Sequence, residues 1–317
     1  MGNNAVAEDV SRIIGRIEGR LPGPTIVAFG GMHGNEPAGV EALEKVIEAL
    51  KPTHSHFRGR FLALRGNLAA LERGVRFIDE DMNRIWFPAI IKKIRETPMA
   101  ELESSERREL KKILPVLDTF LSASSADTTV IADLHSFSAE GEMFAITAHK
   151  EEAINFFCHL PVPLVFGVEK ILLGAALRYY QDKGHISLAI EGGQHQNPLT
   201  VQNNTAAMLT LLEETGCMDS TANSGREEYE EYKEHLKDQN RQLPPQVDLV
   251  YRHRVAEEDH FAMRPGFKNF QPIKKGKWLA DDRDGRIIAQ YDGYVLMPLY
   301  QPQGSDGFFI VQEHERA

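Results

Sequence analysis

TIVAFGGMHGNEPAG, residues 25–39, sets the reading of the whole chain. Thr25, Ile26, Val27, Ala28 and Phe29 make an apolar run of strand length that stops at Gly30 and Gly31. Residues 41–50 follow, with Leu43, Val46, Ile47 and Leu50 at helical spacing. A buried strand, a glycine-rich turn and a helix form the opening unit of an open α/β sheet. Ligands of such sheets gather beyond the carboxyl ends of the strands. Working outward, residues 60–64, 129–134 (TVIADL), 162–166 and 186–190 read as further strands, and 143–147 as a strand beside 129–134. Residues 101–121 read as a long amphipathic helix kinked at Pro115, and 198–214 as a closing helix. Strands alternating with helices predict a mostly parallel mixed sheet covered on both faces, an α/β class over residues 1–218.

After Cys217 the character changes. Residues 219–245 hold the charge-dense run REEYEEYKEHLKDQNR, which reads as a solvated helix or linker. From 246 to 317 short apolar alternations are separated by Gly, Pro and Asp. Asp284 with Gly285 and Asp292 with Gly293 carry a hairpin signature, so a small all-β C-terminal domain is expected.

Composition narrows the function classes. The 317 residues, 42% hydrophobic and 26% charged, are ordinary for a soluble enzyme of one or two domains. Lys and Arg number 36 against 46 Asp and Glu, a net charge of −10, which argues against a nucleic-acid partner. No apolar run approaches the roughly 20 residues of a membrane helix. Residues 1–12 show neither a basic nor an apolar leader region. Cys158 and Cys217 are too few for a disulfide framework or a four-cysteine zinc site. The expectation is a cytoplasmic protein with reduced thiols, no nucleic-acid partner and no membrane partner.

Four segments carry residues suited to chemistry. In the first, His33 and Glu36 stand three apart in a glycine-rich turn, a spacing that lets a loop aim both at one ion. Taken alone, this also fits an ordinary turn with a surface His and a capping Glu. It is neither a dinucleotide fingerprint nor a phosphate loop. In the second, ADLHSF (132–137), His135 ends a strand, and Asp133 has the type and place to fix the tautomer of a ligating histidine. The two share strand parity, so that contact calls for a local bend. His33, Glu36 and His135 together leave a fourth zinc position open, the mark of a catalytic site. In the third, LAIEGGQ (188–194), Glu191 ends an apolar strand and suits a general base. In the fourth, VRFIDEDMNRIW (75–86), Arg76 and Arg84 offer forks for a carboxylate or a carbonyl oxygen. A surface network of salt bridges is the alternative there.

In that order, HGNE, then R-x-x-D-x-D-x-N-R, then DLH, then a strand ending in Glu, the segments resemble the succinylglutamate desuccinylase/aspartoacylase family of the zinc carboxypeptidase clan. The resemblance covers residues 22–216 as motifs. It implies a three-layer zinc-carboxypeptidase-like core and one Zn²⁺ per chain, held by His33, Glu36 and His135. It implies Glu191 as general base and Arg76 as the group that stabilises the oxyanion. It gives Asn83 and Arg84 to the substrate α-carboxylate, Asp81 to the support of this constellation, and Asn67, in RGNLAAL, to the shaping of the pocket. The implied reaction is metal-assisted hydrolysis of the amide of an N-acyl amino acid. A carboxypeptidase of short peptides and an inactive metal- or ligand-binding member are the alternatives. Self-association into a homo-oligomer stays open.

The chain departs from the family at two places. Met297, in Val295-Leu296-Met297-Pro298, stands where aspartoacylases have a substrate-contacting tyrosine. Ser136, Phe137 and Ser138 replace the usual threonine-rich continuation after the histidine. Both departures imply a different acyl pocket. Residues 272–298 resemble the barrel-sandwich hybrid of lipoyl- and biotinyl-type domains, but the tip Asp-Asp-Arg-Asp-Gly lacks the lysine that carries a cofactor. His54, His56, His149, His159 and His195 are read as surface residues.

Overall fold

The apolar run at 25–29 becomes an inner strand of a wide sheet. A computed structural model describes residues 11–51, 56–124, 126, 128–148, 150–218 and 226–315. The leader reading of residues 1–10, and His54 and His149, lie outside them.

The chain runs β1 (Ile13–Glu18), β2 (Leu21–Gly30), α1 (Ala38–Leu50), β3 (Arg58–Arg65), α2 (Leu68–Arg73), α3 (Pro88–Glu96), α4 (Ser105–Ser122) and β4 (Thr129–Phe137). It continues through β5 (Phe144–Thr147), α5 (Glu151–Phe157), β6 (Leu164–Phe166), α6 (Val168–Ile171), α7 (Ala176–Gln181), β7 (Ile186–Gln194), α8 (Pro198–Glu214) and α9 (Arg226–Asn240). It closes with β8 (Gln246–Arg254), β9 (Ala262–Met263), β10 (Gln271–Ile273), β11 (Trp278–Asp282), β12 (Gly285–Ile288), β13 (Gly293–Leu296) and β14 (Asp306–Glu313).

Among the described residues eleven strands form one sheet in the order β1-β3-β2-β4-β7-β5-β6-β8-β14-β13-β10. β3, β2, β4 and β7 run parallel. Side chains alternate across β2, as strand geometry demands. Ile26 and Ala28 pack with α1, α5, α8 and α9 on one face. Val27 and Phe29 pack with α3, α4 and α7 on the other. This is the expected three-layer mixed α/β arrangement.

Several local expectations are corrected. The strand at 144–147 does not pair with β4. It lies on the far side of β7, antiparallel to it. The long helix starts at Ser105, because the Ser104 side chain accepts the N–H of Arg107 at 3.2 Å and caps it there. It runs on through Pro115 to Ser122. The charged run forms α9, which is less solvated than its composition suggests: Leu236 is fully buried in the core beside α8.

In the C-terminal region Asp284 does sit in a tight hairpin turn between β11 and β12. Asp292 and Gly293 make no hairpin. β12 belongs to a second, three-stranded sheet, while β13 pairs with β10 and β14 in the large one. The last strands therefore extend the central sheet, joined to it where β8 runs parallel to β6. Among the described residues no helix is long and apolar enough to cross a membrane.

Candidate metal centre at the strand ends

Adjacent parallel strands end at the same level, and that topology assembles the site. β2 leads into the loop bearing His33 and Glu36, and β4 carries Asp133 and His135. β7 carries Glu191, which stands directly opposite His135 in the register. The loop after β2 turns sharply at Gly31, whose φ of 73° suits glycine. It also packs so closely on α2 that a Cβ on Gly34 would lie 2.0 Å from the Ala70 carbonyl carbon.

His33, Glu36 and His135 are all buried, and one donor atom from each lies within 4.8 Å of the others. Glu36 stands between the rings. Its Oε1 is 2.9 Å from His33 Nδ1, and its Oε2 is 3.0 Å from His135 Nδ1. The opposite ring nitrogens meet carboxylates: His33 Nε2 lies 3.1 Å from Asp81 Oδ1, and His135 Nε2 lies 2.8 Å from Asp133 Oδ2. The contact from Asp133 to His135 is thus made, and the strand pairing becomes irregular just beyond, between His135 and Phe137.

This arrangement fits a zinc ion. With an ion bound, each Nε2–H would go to an aspartate, leaving both Nδ1 lone pairs and the Glu36 carboxylate free as a two-nitrogen, one-oxygen set. Burial opposes charge on Glu36. The charge of His33 and hydrogen bonds from both histidines nevertheless hold its carboxyl well below the usual range. Burial likewise opposes charge on His135, but Asp133 and Glu36 push its pKa well above the ordinary histidine value.

Glu191 differs from its neighbours. It is buried, and its Oε2 has no hydrogen-bond partner among the described residues. Burial, opposed by the charge of His135 and reinforced by that of Glu36, pushes its pKa up to about 8. A carboxyl raised toward neutrality is suited to taking and returning a proton.

The segment at 75–86 lies against this centre. Arg76 reaches Glu36 Oε1 at 3.4 Å and Asp81 Oδ2 at 3.2 Å. Asn83 is buried; its Nδ2 is 3.3 Å from Asp133 Oδ2, and its Oδ1 accepts the Ala176 N–H at 2.9 Å. Arg84 donates to the Asn83 carbonyl at 2.8 Å and stands 3.9 Å from Asp306. Asn67 is not part of the site. It is fully buried, caps α2 by accepting the Ala70 N–H at 3.2 Å, and donates to Glu106 Oε1 at 3.0 Å.

The residue that orders this segment was not found from the sequence. Glu106, in the first turn of α4 and fully buried, accepts the N–H groups of Ile78, Asp79 and Glu80 at 2.8, 3.1 and 3.3 Å. Its only sequence signal is an acidic residue in a helix's first turn, which is commonplace. His195, expected at the surface, differs from that expectation. It is half-buried, 2.8 Å from Ser136 Oγ and 3.0 Å from Gln301 Oε1. Asn35 donates to the same Gln301 oxygen at 3.1 Å, so the loop bearing His33 and Glu36 is tied to the segment between β13 and β14.

Between these groups lies a cavity of about 100 Å³. Its charged end holds His33, Glu36, His135, Glu191, Arg76 and Arg84, and Met297 and Gln301 line its C-terminal side.

A family profile described as the succinylglutamate desuccinylase/aspartoacylase catalytic domain matches residues 22–214. The chain is similar to a succinylglutamate desuccinylase from Ectopseudomonas mendocina, 24% identical over 283 residues, covering 84% of this chain and 78% of the relative. A succinylglutamate desuccinylase from Pseudoalteromonas atlantica is 25% identical over 289 residues, covering 86% and 76%. In fold it is similar to a solved succinylglutamate desuccinylase/aspartoacylase from Rhodobacter sphaeroides, with a TM-score of 0.65 at 16% identity, covering 94% of this chain and 88% of that one. A product-bound ectoine utilization protein from Ruegeria pomeroyi gives 0.61 at 17%, covering 94% and 87%. The profile and the curated relatives together imply a hydrolase acting on amide bonds. The chain belongs to the succinylglutamate desuccinylase/aspartoacylase family.

Proposed function

We propose that this chain is a zinc-dependent hydrolase that cleaves the amide bond of a small N-acyl amino acid. The observation that carries the reading is the buried, unpartnered Oε2 of Glu191 in the cavity that the His33, Glu36 and His135 donor set lines. One Zn²⁺ would be held by His33 and His135 through Nδ1 and by Glu36, with Asp81 and Asp133 fixing the two tautomers. When bound, zinc supplies Lewis-acid activation of water and of the acyl carbonyl.

The remaining chemistry belongs to the chain. Glu191 takes a proton from the attacking water as the new C–O bond forms. It returns that proton to the amide nitrogen as the C–N bond breaks. With zinc bound, the charge of the ion would favour the ionised Glu191 that the first of these transfers requires. Arg76 meets the oxyanion that develops on the carbonyl, and Arg84, beside Asn83, receives the α-carboxylate as a fork. The products are a carboxylic acid and a free amino acid. The small cavity, bordered by Met297 and Gln301, favours a compact amide over an extended peptide.

The test is amine release from N-acyl amino acids and from dipeptides, by protein stripped of metal and by protein reloaded with zinc. Zinc-restored release from N-acyl amino acids is expected. Release from dipeptides alone would replace this reading with a carboxypeptidase.

A further inference from the structure

Away from the charged strand ends the cavity wall turns apolar. Phe137, Ile146, Leu177, Ala189 and Phe309 line it and belong to one packed core cluster, with half-buried Met297 against them. Much of this wall is sheet. Ala189 lies two residues before Glu191 on β7, hence on the same face, and pairs with Ile146 of β5.

Met297 is the wall residue that the chain holds in an unusual backbone state. Its φ is 51°, left-handed for a non-glycine residue. Its N–H donates to Asn269 Oδ1 at 2.8 Å, and buried Asn269 is anchored in turn on the Glu142 carbonyl at 2.6 Å. Strain of this kind persists where the surroundings hold it, commonly beside ligands.

The charge around the cavity is as informative as the wall. Among the described lining residues the guanidinium cations are Arg76 and Arg84, and no lysine joins them. An amide that reacts at Arg76 and sets its α-carboxylate on Arg84 uses both. A second carboxylate would find no further guanidinium or ammonium here, only the apolar wall, the uncharged Ser136, Ser138, Gln301 and Ser305, and Asp306, which is itself paired with Arg252. Burying a charge without a partner is strongly unfavourable.

We infer that the substrates of this site carry a single carboxylate and one apolar arm, and that the arm lies on the wall formed by Ala189, Ile146, Phe309 and Met297. Compounds with a further carboxylate, of the kind named in the curated relatives, are disfavoured. This inference rests on the hydrolase reading above for the placement of the amide.

The arm can be the acyl chain or the amino-acid side chain, and two series separate these sources. One carries acetyl, hexanoyl and succinyl groups on glycine. The other carries N-acetyl on alanine, leucine and aspartate. Each compound is measured twice: for turnover by the zinc-loaded protein, and for binding to zinc-loaded E191Q by calorimetry.

A preference of about tenfold or more for hexanoyl over succinyl assigns the arm to the acyl chain; the same for leucine over aspartate assigns it to the side chain. Equal or better binding of the dicarboxylates in both series overturns the inference, whether or not the amide is cleaved. Binding that prefers the apolar arm, with no turnover of any compound, keeps the inference and defeats the hydrolase reading. No binding in either series defeats both.

Two variants test the wall itself. M297K, with folding checked by its melting curve, is expected to shift the preference toward the dicarboxylate by about tenfold. A folded M297K with an unchanged preference removes Met297 from the assignment. A189V, which narrows the sheet-built side, is expected to lower binding of the hexanoyl or leucine compound while sparing N-acetyl-alanine. Equal binding of all of them by A189V would contradict the wall as the seat of the arm.

Discussion

At the charged end of the cavity the side chains proposed to react stand at three neighbouring parallel strand ends, or on a segment tied down by the buried carboxylate of Glu106. At the apolar end the wall is shared. β4, β5 and β7 supply Phe137, Ile146 and Ala189, while the C-terminal strands bring Met297 and Phe309 across to them. The first end is fixed by topology, because parallel strands that end together must converge their terminal residues. The second depends on a late segment laid over the sheet and latched by Gln301 to His195 and Asn35. The difference separates the two tasks. On the proposed reading, bond cleavage belongs to the strand ends, and the choice of substrate belongs to the seam with the C-terminal strands.

That division can be broken at several points. R76M removes the proposed partner of the developing oxyanion and should cut kcat/KM by about 10²–10³. The loss should fall on kcat, measured by amine release, with metal content unchanged. D133N leaves the His135 ring in place but weakens its orientation, so zinc affinity should fall about 10–100-fold in a chelator competition. E106Q replaces an acceptor of several buried N–H groups with one that can satisfy fewer of them. It should lower stability by about 1–3 kcal/mol in denaturant unfolding and slow catalysis through the displaced 76–84 segment. An E106Q protein with full stability would show that this segment is held by something else.

The smallest expected effect is in pH dependence. In the metal-free protein Glu191 is raised from the usual carboxylate value near 4.5 to about 8 by burial. Between those values the folded state binds more protons than the unfolded one, so this group's contribution falls as pH rises. Its contribution is complete below about pH 4.5 and lost on passing pH 8. The difference in unfolding free energy between wild type and E191Q should therefore slope across that window, and zinc should flatten the slope by favouring the ionised form. A difference that stays constant from pH 5 to pH 8 would contradict the burial argument.

The strand ends were legible because each motif ended an apolar run, and the order of the motifs, through the family resemblance, brought His33, Glu36, His135 and Glu191 together. What escaped was set by partners distant in sequence. Asn67 has the composition of a pocket residue, yet its amide is consumed by capping α2 and by Glu106. Glu106 itself looks like any acid at a helix start. The strand at 144–147 reads alike whether parallel or antiparallel, since its side chains are buried on both faces. Asp292 and Gly293 have hairpin chemistry, but the apolar edge of β14 captures β13 first. His195 reads as surface because the residue that buries it, Gln301, comes about a hundred positions later.

The most direct test concerns Glu191. Zinc content and amine release would be measured together on wild type and E191Q. The account predicts one zinc per chain in both proteins and loss of release in E191Q by about 10²–10⁴, the usual worth of a positioned acid–base group. Full release by E191Q with its zinc retained would contradict the assignment of Glu191 as the base.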